Sequence, residues 1–138
     1  MRAPQIVVYE SEHWIADLLR GTAEVWQWPL RELRDEAAVV RALRQGGPSV
    51  LAFEIGADME RDLALFGRLT WLCPEATAIV VSSVASEELA GLAWDLGATY
   101  VLVLPQPRDA LLPLVLSLME AAKGEGQLMV GADNGGAR

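Results

Sequence analysis

The sequence predicts an α/β fold, a three-layer αβα sandwich built on a five-stranded parallel sheet. Five short apolar runs alternate along the chain with stretches whose apolar residues recur at helical spacing. The runs are rich in Val and Ile and apolar on both faces, as strands covered by helices on both sides must be. The connections are short, and regular βα alternation of this kind indicates parallel strands with right-handed crossovers.

The first part of the chain holds two predicted strands and two predicted helices. Ile6–Tyr9 is the first apolar run, and a helical pattern follows through Ile15–Thr22. Ala23–Trp28 is predicted as a weaker second strand that ends at Pro29. The second helix is predicted over Arg31–Gln45, and the Gly-Gly pair after it supplies the stop.

The third and fourth strands are predicted at Val50–Ile55 and Thr77–Val81. Between them, Asp58 is placed to cap a helix whose apolar face extends to Cys73. Ser86 is the corresponding cap of the next helix, whose acidic first turn suits a helix N-terminus. On that helix we expect four side chains to be buried: Leu89, Leu92, Ala93 and Leu96.

The fifth strand is predicted at Tyr100–Leu104, and a last helix follows over Pro107–Ala122. For five strands in βα alternation, the flavodoxin-like order 2-1-3-4-5 is the natural arrangement. We therefore expect one domain over residues 1–122. Residues 123–138 are Gly-rich and without periodicity, and are predicted to form a flexible C-terminal tail.

The composition and net charge of the chain exclude several classes of partner. The chain has 138 residues, 52% of them hydrophobic, which suits a single domain with a substantial core. Its net charge of -8 argues against nucleic acid and against anionic lipid as partners. The one cysteine fits a reducing compartment. No signal-peptide pattern and no apolar run long enough to span a bilayer are seen, so we expect a cytoplasmic protein without a membrane partner.

The segment Gly97–Pro105 carries the clearest motif, a Gly-Ala pair, a polar pair, an apolar strand and a proline. Together with the helix Glu87–Leu96 and the order of elements, it resembles the receiver domain of bacterial two-component response regulators. The resemblance extends over Gln5–Ala122. It implies a role in signal transduction, exercised through a protein partner.

Receiver domains hold Mg²⁺ with two acidic residues after the first strand and accept a phosphoryl group on an Asp after the third. A Thr or Ser ends the fourth strand and a Lys ends the fifth, so that cations neutralise the transferring group. The matching positions here are Glu10 with Ser11, Glu54, Ser82 and Leu104. Only the hydroxyl of Ser82 and one member of the acidic pair keep the pattern.

These departures predict a pseudo-receiver, a non-enzymatic regulatory protein that needs neither phosphorylation nor a cofactor. Leu104 is the decisive change, because no other residue of its strand supplies a cation. The alternative is a metal-binding or small-ligand-binding module, or a weak phosphoacceptor, that uses Glu10, Glu54 and Ser82.

The sequence allows two roles each for Glu54, for the pair of Glu10 and Glu54, and for His13. Glu54 either mimics a phosphorylated Asp or is hydrogen-bonded to Ser82 or to amides of the following loop. Glu10 and Glu54 lie at the ends of neighbouring strands, where they form either a weak cation site or a metal-free remnant of one. His13 either joins Glu10 as a ligand or base or is a solvated side chain.

The last predicted helix is apolar over almost its whole circumference, which exceeds what one buried stripe requires. This excess predicts a second buried surface, shared with Trp94, through which the protein forms a homodimer. The competing explanation is that Pro113 kinks the helix and rotates its stripe. The predicted interface residues are Trp94, Tyr100, Leu111, Leu112, Val115, Leu116 and Met119.

Overall fold

Five parallel strands form one sheet at the centre of the computed structural model, which describes residues 3–82, 86–103 and 109–122. The order is β2-β1-β3-β4-β5, and all neighbours run parallel. The predicted α/β fold with flavodoxin-like strand order is therefore confirmed. The strands β1 to β5 are Gln5–Tyr9, Leu30–Glu32, Ser49–Ile55, Thr77–Ser82 and Tyr100–Val103.

The helices occupy the connections between strands and cover both faces of the sheet. Two predicted caps are confirmed: Asp58 accepts a hydrogen bond from the amide of Arg61, and Ser86 accepts one from that of Leu89. In the part of the chain that the structure describes, no helix has the length and apolarity to cross a membrane. The helices α1 to α5 are Trp14–Trp26, Glu36–Gln45, Met59–Leu72, Glu87–Asp95 and residues 109–122.

The second strand was predicted in the wrong place. Ala23 and Trp26, assigned to that strand, belong to α1, because Ala23 extends the buried stripe of this helix at helical spacing. The helix ends at Gln27, which has a left-handed backbone with φ 60°. Strand β2 follows Pro29, whose carbonyl accepts a hydrogen bond from the amide of Ile6. The predicted tail, residues 123–138, lies outside the described residues.

The start of α2 and the buried face of α4 also differ from the predictions. Helix α2 begins at Glu36 rather than Arg31, because β2 occupies the preceding segment and Asp35 caps the helix. On α4, Leu89 and Ala93 are buried as expected, but Leu92 is 46% exposed. Leu96, which follows α4, is half-buried against the same cluster as Leu89 and Ala93, whereas Leu92 lies off that stripe.

Two apolar clusters fill the space on either side of the sheet. Successive side chains of a strand point to opposite faces, so Val7 lies in one cluster and Ile6 and Val8 lie in the other. Helices α2, α3 and α4 pack on the first cluster, and α1 and α5 pack on the second. The carboxyl ends of all five strands are left at one edge, between the two helical layers.

Gly97, which links α4 to β5, is expected to tolerate no side chain. Its φ is 111°, and an added Cβ would lie 3.2 Å from the Cβ of Thr70. Gly97→Ala should therefore lower the free energy of unfolding by about 1–3 kcal/mol, measured by urea denaturation. Gly91→Ala is the matched control in α4, because nothing lies within 4 Å of its added Cβ. It should raise stability by about 0.5–1 kcal/mol, and equal effects from both would contradict the prediction.

Candidate functional site

The first and third strands end side by side at the carboxyl edge of the sheet. Tyr9 pairs with Phe53 in the register of β1 and β3, so Glu10 and Glu54 follow on adjacent strands. A cavity of about 400 Å³ opens at this edge, on the side of α2 and α3. The charged and hydroxyl side chains that line it include Glu10, Ser11, Arg34, Glu54, Asp58, Arg61 and Asp62.

Both oxygens of the Glu54 carboxylate are held by donors from the loop after β1 and from the first residue of α1. Oε1 accepts from the amide of Ser11 at 3.2 Å and from its hydroxyl at 3.0 Å. Oε2 accepts from the indole Nε1 of Trp14 at 2.8 Å. The sequence had predicted Ser82 or the loop after β3 as the partner. The indole thus fixes the position of the carboxylate that the sequence resemblance matches to the acceptor Asp.

Glu10 caps the first helix from within the core. Its side chain is 2% exposed, and its two oxygens accept from the amides of Ile15 and Ala16, each at 2.9 Å. His13, the residue before the helix, forms no cap with its own side chain. Burial raises the pKa of the Glu10 carboxyl, the two amide hydrogen bonds lower it, and the Glu54 charge raises it further. Glu10 is thus committed to the backbone of α1.

The residues present do not fit a Mg²⁺ site. Magnesium needs oxygen ligands whose lone pairs are free to meet octahedral geometry. The oxygens of Glu10 and Glu54 already accept hydrogen bonds from backbone, hydroxyl and indole donors. Over residues 3–82, 86–103 and 109–122, no three His, Cys, Asp or Glu side chains are grouped to hold a metal ion.

Ser82, a further position of the receiver pattern, lies on the neighbouring strand β4. Ser82 ends β4 with 0% exposure, in register with Ile55 and Val103. Leu104 lies outside the described residues. On β5, Val101 packs against the cluster under α4, whereas Leu102 packs against the opposite cluster. Tyr100, two residues before Leu102, is 42% exposed.

His13 belongs to an exposed polar cluster with Glu32 at the end of β2 and with Arg34. Its ring nitrogen Nδ1 is hydrogen-bonded to the carboxylate of Glu32, and the guanidinium of Arg34 lies 2.9 Å from Nε2. Arg34 also donates to the carbonyl of Glu12 at 3.1 Å. With a side chain 61% exposed, His13 is closer to the predicted solvated residue than to a ligand or base acting with Glu10.

Sequence reasoning missed three side chains of this edge. Trp14 was not recognised as the partner of Glu54, although its place one turn after β1 was a usable signal. Asp62 is 6% exposed and accepts from the amide of Gly56 at 2.8 Å, which fixes the loop after β3. The ring of Tyr9 stacks on Phe53 at 4.7 Å, and burial, followed by the Asp62 charge, raises the pKa of its hydroxyl.

The predicted interface on α5 needs correction. Leu111, Val115 and Met119 are at most 1% exposed and pack on the sheet within the chain itself, because they form the single stripe that faces β1, β3 and β4. Leu112 and Leu116 are half-buried beside Trp28, between α1 and α5. The three buried residues are therefore occupied by the fold, whereas an interface role for Leu112 and Leu116 stays a prediction.

Fewer of the predicted interface residues are exposed than the sequence indicated. Trp94 on α4 is 50% exposed and Tyr100 on β5 is 42% exposed. On α5, helical periodicity puts Leu114 and Leu118 on the flank opposite Leu116, and both remain half-buried. These residues surround the free edge of β5 on the two faces of the sheet.

Solved structures with the same fold include response regulator receiver domains. No family model and no curated protein matches the chain. A CheY-like receiver domain from Methanospirillum hungatei superimposes with a TM-score of 0.69 at 21% identity, covering 89% of this chain and 98% of that one. A response regulator from Thermotoga maritima gives a TM-score of 0.70 at 18% identity, covering 86% and 98%.

A third solved structure is that of a phosphorylated response regulator. It is a response regulator protein from Burkholderia pseudomallei with a phosphorylated aspartic acid, a calcium ion and citrate. It matches with a TM-score of 0.65 at 20% identity, covering 96% of this chain and 75% of that one. With the strand order, these likenesses show that the chain has the fold of a response regulator receiver domain.

Proposed function

We propose that this protein is a pseudo-receiver, a non-enzymatic regulator that acts through protein contacts and independently of phosphorylation. The proposal depends on one observation, that the carboxylates of Glu10 and Glu54 are both hydrogen-bonded by groups of the protein itself. Glu10 caps α1, and Glu54 is held by Ser11 and Trp14. A metal ion or a phosphoryl group would have to compete with these internal hydrogen bonds for the same carboxylate oxygens.

The positive charge that phosphoryl transfer requires is also missing from the positions that match the receiver pattern. A transferring phosphoryl group is stabilised by a divalent cation and by an ammonium group. Here Ser11 replaces one carboxylate of the cation site, and the sequence has Leu104 at the lysine position. The hydroxyl of Ser11 donates a hydrogen bond to Glu54, a role opposite to that of a metal ligand.

Titration with Mg²⁺, with and without beryllofluoride as a phosphoryl mimic, tests the proposal. Tryptophan fluorescence is a suitable signal, because the indole of Trp14 lies 2.8 Å from the Glu54 carboxylate. We expect no saturable change. Glu54→Gln is the control, since it keeps the size of the side chain and removes the charge. A saturable response that disappears in Glu54→Gln would show a working phosphoacceptor site and refute the pseudo-receiver proposal.

A small-ligand module is the second candidate function, and the cavity of about 400 Å³ favours it. Its lining mixes the guanidinium groups of Arg34 and Arg61 with several carboxylates. The sequence-based version of this candidate used Glu10, Glu54 and Ser82. Ser82 is fully buried, and the two glutamates are engaged, so a ligand would have to use the arginine side of the cavity. Nucleotide titration by the same fluorescence signal separates the two functions.

Homodimerisation through the last two helices stays a prediction. Trp94 and Tyr100 are exposed and support a contact surface at this end of the sheet. The α5 residues Leu111, Val115 and Met119 do not contribute to it, because they are core residues. The contact surface we propose is therefore formed mainly by α4 and β5.

A further inference from the structure

The outer face of α3 carries a tryptophan that is almost fully open to solvent. Trp71 is 84% exposed, the largest exposed fraction of any large apolar side chain in the described residues. Glu60, Ala64, Gly67 and Arg68 lie on the same face, because they recur at helical spacing opposite the buried stripe of the helix. Aromatic side chains are enriched in contacts between proteins, so this face is a candidate for one.

The first turn of α3 makes one end of this face acidic. Glu60 lies there and is exposed. Arg61 lies to one side of the face, where its Nε is 3.8 Å from the carboxylate of Asp62. This end thus presents the Glu60 carboxylate to solvent.

Two arginines of α2 make the other end of the face basic. Nη2 of Arg44 donates to the carbonyl of Leu72 at 3.4 Å, which places this guanidinium beside the last turn of α3. Arg41 lies one turn earlier on the same side of α2, and both arginines are exposed. Glu75, in the turn after α3, offsets one of the two charges. The end that carries Trp71 therefore keeps a net positive charge.

The middle of the face is close to neutral and has a low profile. Arg68 is paired with Glu36 of α2 at 2.9 Å. Ala64 and Gly67 have short or absent side chains, so a second helix can approach α3 there.

A face that is acidic at one end and basic at the other is complementary to itself across a two-fold axis, which places each end against the opposite end of a second copy. The surface around α4 and β5 lacks this property. In the described residues 86–103 and 109–122, every charged side chain is acidic, so a symmetric contact there would bring carboxylates together.

We propose that α3 pairs in antiparallel orientation with α3 of a second copy of this chain. Glu60 of each copy faces Arg44 of the other, and Trp71 of each copy covers Ala64 of the other. The inference goes beyond the proposed function and does not depend on it, because neither Glu10 nor Glu54 takes part. It leaves the α4–β5 surface open to another protein.

Sedimentation velocity of the full chain over a range of concentrations tests this. We expect a dimer, and Trp71→Ala, Glu60→Lys and Arg44→Glu should each raise its Kd about tenfold. The matched controls are Trp26→Ala, at a tryptophan that is 50% exposed on α1, and Glu88→Lys, in the first turn of α4. Both should leave the Kd within about twofold of the wild-type value.

Mixing the Glu60→Lys and Arg44→Glu variants separates a contact between copies from damage to the fold. Each variant alone opposes like charges at both ends, whereas the mixture brings Lys against Glu at one end and the natural Glu60–Arg44 pair at the other. The mixture should therefore form a heterodimer with a Kd near the wild-type value.

Three results would overturn the proposal. The first is a wild-type chain that stays monomeric at about 100 μM. The second is a mixture of the two charge variants that associates no better than either alone. The third is a dimer that Trp94→Ala dissociates and Trp71→Ala does not, because the second copy would then occupy the α4–β5 surface. None of these results depends on Mg²⁺ or beryllofluoride binding, so failure of the pseudo-receiver proposal is seen separately.

Discussion

Val115→Glu is expected to unfold the protein rather than to yield a folded monomer. Val115 is 1% exposed in the cluster between α1, α5 and the sheet. A carboxylate there would lose its hydration with no described cation near it, a penalty of several kcal/mol. We expect the free energy of unfolding to fall by about 4 kcal/mol, a large part of the total stability of a domain of this size. Urea denaturation followed by circular dichroism measures the loss.

Ser117→Glu is the matched control for this prediction. It introduces the same side chain two residues further along α5, at an exposed position. The change in stability there should stay within about 0.5 kcal/mol. If Val115→Glu kept the wild-type stability and only altered the oligomeric state, Val115 would be an interface residue, and its place in the core would be wrong.

Ser11→Asp combined with Glu54→Asp is expected to create a Mg²⁺ site that the natural sequence lacks. The first change replaces a hydroxyl that donates to Glu54 with a ligand oxygen. The second shortens the side chain by one methylene and withdraws its carboxylate from the indole of Trp14. The new carboxylates repel each other and Glu10 unless a cation lies between them. Isothermal titration calorimetry should give a Kd on the order of 10⁻³ M.

The control for the new site is Ser11→Asn with Glu54→Gln, which adds similar side chains without their charges. It should show no heat of Mg²⁺ binding. If the doubly acidic variant also fails to bind, then the capping of α1 by Glu10, and not the two changed residues, keeps the metal out. If the natural protein binds with the same Kd, the pseudo-receiver proposal falls.

The strand order could be predicted from sequence because it follows from local patterns. Each run from Ile6, Val50, Thr77 and Tyr100 is short and apolar on both faces, and each is followed by a helical pattern. Right-handed crossovers then leave few arrangements of five strands. The second strand was misplaced because Leu30–Glu32 is only three residues long and has no apolar run of its own. Its pairing with β1 identifies it, and that contact is not local.

The sequence by itself determined that Glu10 and Glu54 share one edge, because parallel neighbouring strands end on the same side of a sheet. It could not determine what their oxygens bind. The answer depends on Trp14 and on the amides of Ile15 and Ala16, which reach the edge only when α1 packs on the sheet. The burial of Val115 was likewise decided by tertiary structure, since a helix apolar on all sides does not specify which stripe faces the core.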